Sequence, residues 1–112
     1  MIKVIMLMKR RPGMTVSEFR DYYENNHRVI GEKYLNGFAV KYIRRFINPL
    51  IDRSGNLTDP EYDVLMEVWY PDEKTFKACG EKLSEPDIAK EIREDEEKIF
   101  DTRFMRSYTV DE

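Results

Sequence analysis

The runs Phe38-Ala39-Val40-Lys41-Tyr42-Ile43-Arg44-Arg45-Phe46-Ile47 and Tyr62-Asp63-Val64-Leu65-Met66-Glu67-Val68-Trp69-Tyr70 decide the fold of this chain. Both are rich in the β-branched and aromatic residues that suit a pleated surface. Between them lie Asn48-Pro49, Asp52, Ser54-Gly55-Asn56 and Asp59-Pro60, all turn formers. The spacing predicts two successive strands paired as an antiparallel hairpin, and the fold class follows from what flanks that pair.

Upstream, residues 2–9 are rich in Ile, Val, Met and Leu and end at Arg11-Pro12-Gly13, which reads as a first strand closed by a turn. Thr15 and Glu18 have capping-box spacing and start a helix that Asn36-Gly37 stops. Downstream, Pro71-Asp72 opens a short helix with Phe76, Cys79 and Leu83 on one stripe. Ser84-Glu85-Pro86-Asp87 opens another with Ile88, Ile92 and Ile99 on one stripe. The stretch from Glu91 to Lys98 reads as a solvated helix face, and Arg103 to Val110 as the closing strand. The order β-α-β-β-α-β predicts an α+β, ferredoxin-like domain over residues 1–112, a four-stranded antiparallel sheet with helices on one face.

Strand one is apolar on both faces, with Ile2, Val4, Met6 and Met8 against Ile5 and Leu7. Strand three is nearly so. A sheet with one solvated face shows cleaner alternation, so the pattern predicts a homodimer packed sheet to sheet about a two-fold axis.

The 112 residues carry 22 acids and 19 bases, a formal charge of −3 with no basic stripe, which argues against nucleic-acid binding. A single cysteine excludes an internal disulfide and points to a reducing, cytoplasmic compartment. One His and one Cys far apart make no zinc site, and no metal is expected. The apolar stretch Met1 to Met8, broken by Lys3, is too short for a signal peptide or a membrane span.

The one histidine, His27, lies in Tyr22-Tyr23-Glu24-Asn25-Asn26-His27-Arg28. At about 100° per residue it shares the apolar side of the first helix with Phe19, Tyr23, Ile30 and Tyr34. An imidazole there is either a core histidine with both nitrogens satisfied or a general base or acid facing a pocket. Glu67, between Met66 and Val68, is costly to bury unless paired or functional. It either joins His27 in the cavity or pairs in the interface with Arg44, Arg45 or Arg106.

Lys9-Arg10-Arg11-Pro12-Gly13-Met14-Thr15-Val16-Ser17-Glu18-Phe19, the tyrosine pair and His27 together resemble the N-terminal signature of EthD-like proteins of the dimeric α+β barrel superfamily. Tyr62-Asp63, Glu67 and Trp69, and Asp95 with Phe100-Asp101, resemble later parts of the same pattern. One departure is Arg28-Val29, where many members carry a proline two residues after the histidine. The resemblance implies a homodimer with a small-molecule cavity between sheet and helices in each protomer. It does not imply one reaction. Members and relatives include cofactor-free decarboxylases, dehydratases and cyclases of aromatic and polyketide metabolism, and an accessory protein of ether degradation.

The function expected from residues and resemblance together is a cofactor-independent acid–base enzyme of lyase, dehydratase, decarboxylase or cyclase type. Its substrate would be a small aromatic or polyketide-like carbonyl compound. His27, Tyr23 and Glu67 are the candidate catalytic groups. Phe19, Tyr34, Tyr42, Arg44, Asp63 and Trp69 are the candidate substrate-binding groups. Arg44 and Arg45 point to opposite faces, so only one of them can line a given cavity. The alternatives are a non-catalytic protein that holds an apolar metabolite for an oxygenase, and haem binding through His27, as in distant relatives.

Overall fold

The computed structural model describes residues 1–112. Its elements are β1 (Ile2–Met8), α1 (Val16–Tyr22), a π turn (Tyr23–His27), α2 (Arg28–Leu35), β2 (Lys41–Phe46), β3 (Val64–Tyr70), α3 (Glu73–Leu83), α4 (Pro86–Ile99), a 3₁₀ turn (Thr102–Phe104) and β4 (Arg106–Val110). The sheet order is β2-β3-β1-β4, every pair antiparallel. This is the ferredoxin-like arrangement that the strand and helix order predicts. No helix is long and apolar enough to cross a membrane.

Local chemistry sets the boundaries. Thr15 Oγ1 accepts from the Glu18 N–H at 3.1 Å while a Glu18 carboxylate oxygen accepts from the Thr15 N–H at 3.0 Å, satisfying two groups at the start of α1. Asp72 caps α3 by accepting from the Thr75 N–H at 2.7 Å, and Pro86 opens α4. β4 starts at Arg106 rather than Arg103, because the Asp101 side chain accepts from the Arg103 N–H and turns Thr102–Phe104 into a single 3₁₀ turn.

The main departure from the sequence expectation is the π turn. The helix from Thr15 to Asn36 is not one regular cylinder: the Arg28 N–H bonds the carbonyl of Tyr23, five residues back, so one extra residue is taken up there.

Strand alternation puts Val4, Met6, Met8, Tyr42, Phe46, Val64, Met66, Val68 and Tyr70 on the face the helices cover. Two apolar clusters form there. Met8, Phe19, Tyr23, Val64, Ile99 and Phe100 make one, and Leu35, Val68, Tyr70 and Cys79 the other. Met66 packs against both. The opposite face carries Lys3, Ile5, Leu7, Ile43, Arg45, Leu65, Glu67, Trp69 and Tyr108 and has no helix over it.

Candidate functional site

A pocket of about 350 Å³ lies between the sheet and the helices. Its sixteen lining residues, thirteen of them hydrophobic, come from β1, β2 and β3 on one side and from the π turn, α2, α3 and α4 on the other. The size suits a small organic molecule. Tyr42 from β2 can form its wall because α2 presents Gly31 there: a Cβ at Gly31 would stand 2.7 Å from the Tyr42 hydroxyl oxygen. A larger depression over Val29, Glu32, Lys33 and Val40 is open to solvent and gathers no comparable set of groups.

His27 is the imidazole of this pocket, and it is buried. Its Nδ1 lies 2.7 Å from Asp95 Oδ2, and the other Asp95 oxygen accepts from the Tyr22 hydroxyl at 2.6 Å. A carboxylate beside Nδ1 fixes the ring proton on that nitrogen and leaves the lone pair on Nε2. Both oxygens of the buried Asp95 are thereby bonded, which offsets its desolvation. Burial lowers the His27 pKa and outweighs the opposing pull of Asp95. The contact is therefore a neutral imidazole donating to a carboxylate at pH 7. The Tyr22 hydroxyl is pushed up to about 12, first by burial and then by Asp95.

The Tyr23 and Phe100 rings meet the imidazole edge-on, with centroids at 5.2 and 5.1 Å, and fix its plane. The Tyr23 hydroxyl is buried without a hydrogen bond, and burial raises its pKa well above the tyrosine range. Glu96, one residue beyond Asp95 on α4, also lines the pocket. Burial raises its pKa, and the neighbouring Asp95 adds to that. No group of three or more His, Cys, Asp or Glu residues is placed to hold a metal ion.

The structure brings His27, Tyr34 and Tyr42 together in the pocket lining. The Tyr34 hydroxyl donates to Glu91. The other candidates are placed elsewhere. Phe19 is enclosed by the rings of Tyr23, Phe46 and Phe100 and belongs to the core, and Tyr23 touches the imidazole without lining the cavity. Arg44 is on the helix side but is held by Glu24 at 3.1 Å and lies over the Tyr42 ring. Asp63, just before β3, accepts from the Arg10 N–H at 2.8 Å.

Glu67 and Trp69 are on the opposite face of the sheet, a correction that strand alternation explains. Glu67 is level with Ile5 and Ile43, Trp69 with Lys3 and Lys41, and all project away from the helices. Glu67 pairs with Arg45, which lowers its pKa, and Trp69 has a lysine ammonium 4.3 Å from its ring on either side.

Three residues of the site are given no role by the sequence reading, although Tyr22 and Asp95 stand in the stretches that resemble the family pattern. Asp95 carries a usable signal: Ile88, Ile92, Asp95 and Ile99 follow 4-3-4 spacing, so one acid sits on the apolar stripe of α4. Asp95 and Glu96 thus depart from the solvated face expected for Glu91 to Lys98. Tyr22 has no such signal, because five residues of regular helix put it about 140° from His27. With one residue absorbed by the π turn, the separation falls to about 40°.

The family profile of the EthD domain matches residues 11–103. No curated protein matches the chain. Among solved structures, an EthD family protein from Bacillus halodurans superposes with a TM-score of 0.67 at 14% identity, covering 100% of this chain and 99% of that one. A dimeric protein of unknown function with a ferredoxin-like fold from Bacteroides fragilis gives a TM-score of 0.61 at 12% identity, covering 99% and 95%. An antibiotic biosynthesis monooxygenase gives 0.56 at 12% identity, covering 100% and 98%. At these identities the likeness is one of fold.

Proposed function

The chain belongs to the EthD domain family, and from that premise we propose that it is a cofactor-independent acid–base enzyme in which His27 moves a proton at a carbon beside a carbonyl group. The observation that carries this reading is the chain of contacts from Tyr22 through Asp95 to His27 Nδ1, on an imidazole that forms part of the pocket lining. Asp95 holds the ring tautomer and stabilises the imidazolium that forms when Nε2 takes the proton. Tyr22 holds Asp95. A base placed in this way contributes about 10²- to 10⁴-fold to the rate. The apolar lining favours a flat, small carbonyl compound of aromatic or polyketide type. Enolisation of that compound is the common first step of a dehydration or a ring closure.

The assembly we propose is a two-fold dimer joined through the uncovered sheet face. Ile5, Leu7, Ile43, Leu65 and Tyr108 there are incompletely buried in one chain, and only 14 of 112 residues are buried. A second copy would supply the cover that so small a core lacks.

Exchange of the α-protons of 1-tetralone into D₂O, followed by NMR, tests the base. The protein is expected to accelerate exchange and His27→Ala to abolish the acceleration. Equal rates with and without His27 would remove the reading. Binding without exchange would support the other one, an apolar carrier for a partner oxygenase, which the thirteen hydrophobic lining residues favour.

A further inference from the structure

Glu96 is the sole carboxyl group among the pocket-lining residues, and that lining contains no Lys or Arg. The groups acting on it are its apolar surroundings and the like charge of Asp95; no cation and no hydrogen-bond donor offsets them. A carboxyl in such a place has its pKa raised, by burial first and by Asp95 second, which favours the protonated form. Its O–H is then a donor with no acceptor in the protein. In the same lining His27 offers the complementary group, a neutral imidazole whose free nitrogen is a base. Two titratable groups whose surroundings hold one protonated and the other unprotonated form an acid–base pair.

We propose that Glu96 is the second reacting group of the pocket, donating its carboxyl proton to the carbonyl oxygen of an uncharged ketone whose adjacent C–H bond faces His27. The inference rests on the reading of His27 as the base. In the step, Nε2 takes the α-proton and the C–H electron pair becomes the C=C π bond. The carbonyl π pair moves to oxygen, which receives the Glu96 proton. The products are a neutral enol, a Glu96 carboxylate and a His27 imidazolium. Charge therefore sets the substrate class. A carboxylate in this pocket would be buried without a cation and would face Glu96, which is costly. Decarboxylation of a free acid is excluded on that ground, whereas enolisation of a neutral ketone leading to dehydration or ring closure fits.

His27 is the only histidine in the chain, so its ring signals in NMR report the pocket without assignment. The probes are 1-tetralone and its carboxylate counterpart 1-naphthoate. Tetralone is expected to shift the His27 signals saturably, with affinity falling at least tenfold as rising pH takes the proton from Glu96. Glu96→Gln retains a donor that does not titrate and is expected to hold that affinity within about twofold over the same rise in pH. Glu96→Leu is expected to bind tetralone at least tenfold more weakly than Glu96→Gln. The titratable groups that share the pocket lining with Glu96 are His27 from the π turn, Tyr34 from α2, Tyr42 from β2 and Tyr70 from β3, with Glu91 bonded to Tyr34 and Asp95 bonded to His27. All are kept in the Gln variant, so the difference between the two pH profiles belongs to Glu96.

Naphthoate binding as tightly as tetralone, a pH profile unchanged by Glu96→Gln, or no tetralone binding would each overturn the proposal. The α-proton exchange assay separates the two readings. Exchange lost in His27→Ala and unchanged in Glu96→Gln overturns the role of Glu96 and leaves the base. The binding pattern above with exchange indifferent to His27 overturns the base and leaves Glu96 as the group that selects a neutral carbonyl.

Discussion

Replacing Gly31 by alanine tests the pocket wall through the sign of a stability change. Gly31 lies inside α2 with an ordinary helical backbone, where alanine is favoured by about 1 kcal/mol over glycine. The new Cβ would stand 2.7 Å from the Tyr42 hydroxyl oxygen and 2.9 Å from two ring carbons, where comfortable contact needs about 3.5 Å. The ring must then retreat by about 0.8 Å, and it is hemmed in by the Arg44 guanidinium on its face and the buried Tyr23 hydroxyl nearby. Overpacking of this kind costs about 1–3 kcal/mol. Taking the middle of that range, the net effect is a destabilisation of about 1 kcal/mol.

Gly80, inside α3, is the control. A Cβ there meets nothing within 4 Å, so Gly80→Ala is expected to stabilise by about 1 kcal/mol. Urea denaturation of both variants at one protein concentration reads the difference, about 2 kcal/mol with opposite signs. If Gly31→Ala stabilises as much as Gly80→Ala, the Tyr42 ring does not rest on α2 and the pocket wall described above is wrong.

Asp95→Asn removes the group that opposes burial, so the His27 protonation midpoint is expected to fall further below the ordinary value of 6.5; an unchanged or higher midpoint in an NMR titration would contradict the assignment. Because the folded midpoint of His27 is already lowered, the unfolded chain binds the extra proton first. Stability from this residue is complete above about pH 6.5 and is lost as pH falls through the lowered midpoint, and His27→Gln should flatten that limb of a stability–pH curve. Cys79 is fully buried, takes a hydrogen bond from the Tyr70 hydroxyl at 3.7 Å, and has its thiol pushed up by burial. Ellman's reagent should label it only at the rate of unfolding, and rapid labelling of the folded protein would refute its placement. Leu65→Glu on the uncovered face should convert a particle of twice 13.5 kDa into one of 13.5 kDa by light scattering; a single-chain mass for the unmutated protein would end the dimer proposal.

The order of elements could be read from the chain because each boundary carries its own chemistry. The Thr15–Glu18 box, the Asn36-Gly37 stop and the turn formers around Asp52 and Pro60 act locally, and local rules suffice for them. The site was legible only in part. His27 and Tyr34 could be found from apolar periodicity, and Tyr42 only as one of the aromatic candidates for the cavity. Glu67 is conspicuous as an acid between two apolar residues and could be read either as an acid of the pocket or as a partner of an arginine such as Arg45; only strand pairing decides which face it takes, and the Arg45 pairing is the one observed. The acids that do reach the pocket region, Asp95 and Glu96, stand in a run of charged residues that resembles a solvated face. Tyr22 was hidden by a backbone irregularity with no residue signature of its own.

The π turn has a further consequence for chain length. Val16 to Leu35 holds one residue more than its two faces need, and the surplus is taken up at Tyr23–His27. Removing exposed Asn25 should let an ordinary hydrogen-bond ladder close without rotating Phe19 against Leu35, and Tyr22 and His27 would then be four residues apart on one side. Removing one residue elsewhere in the same stretch turns everything beyond it by about 100°. The Asn25 deletion is therefore expected to fold at least as stably as the parent, with the His27 signals little changed, whereas deletion of Glu32 should collapse the pocket. A relative one residue shorter here would present the same tyrosine and histidine to the same aspartate, and its gap belongs at the π turn.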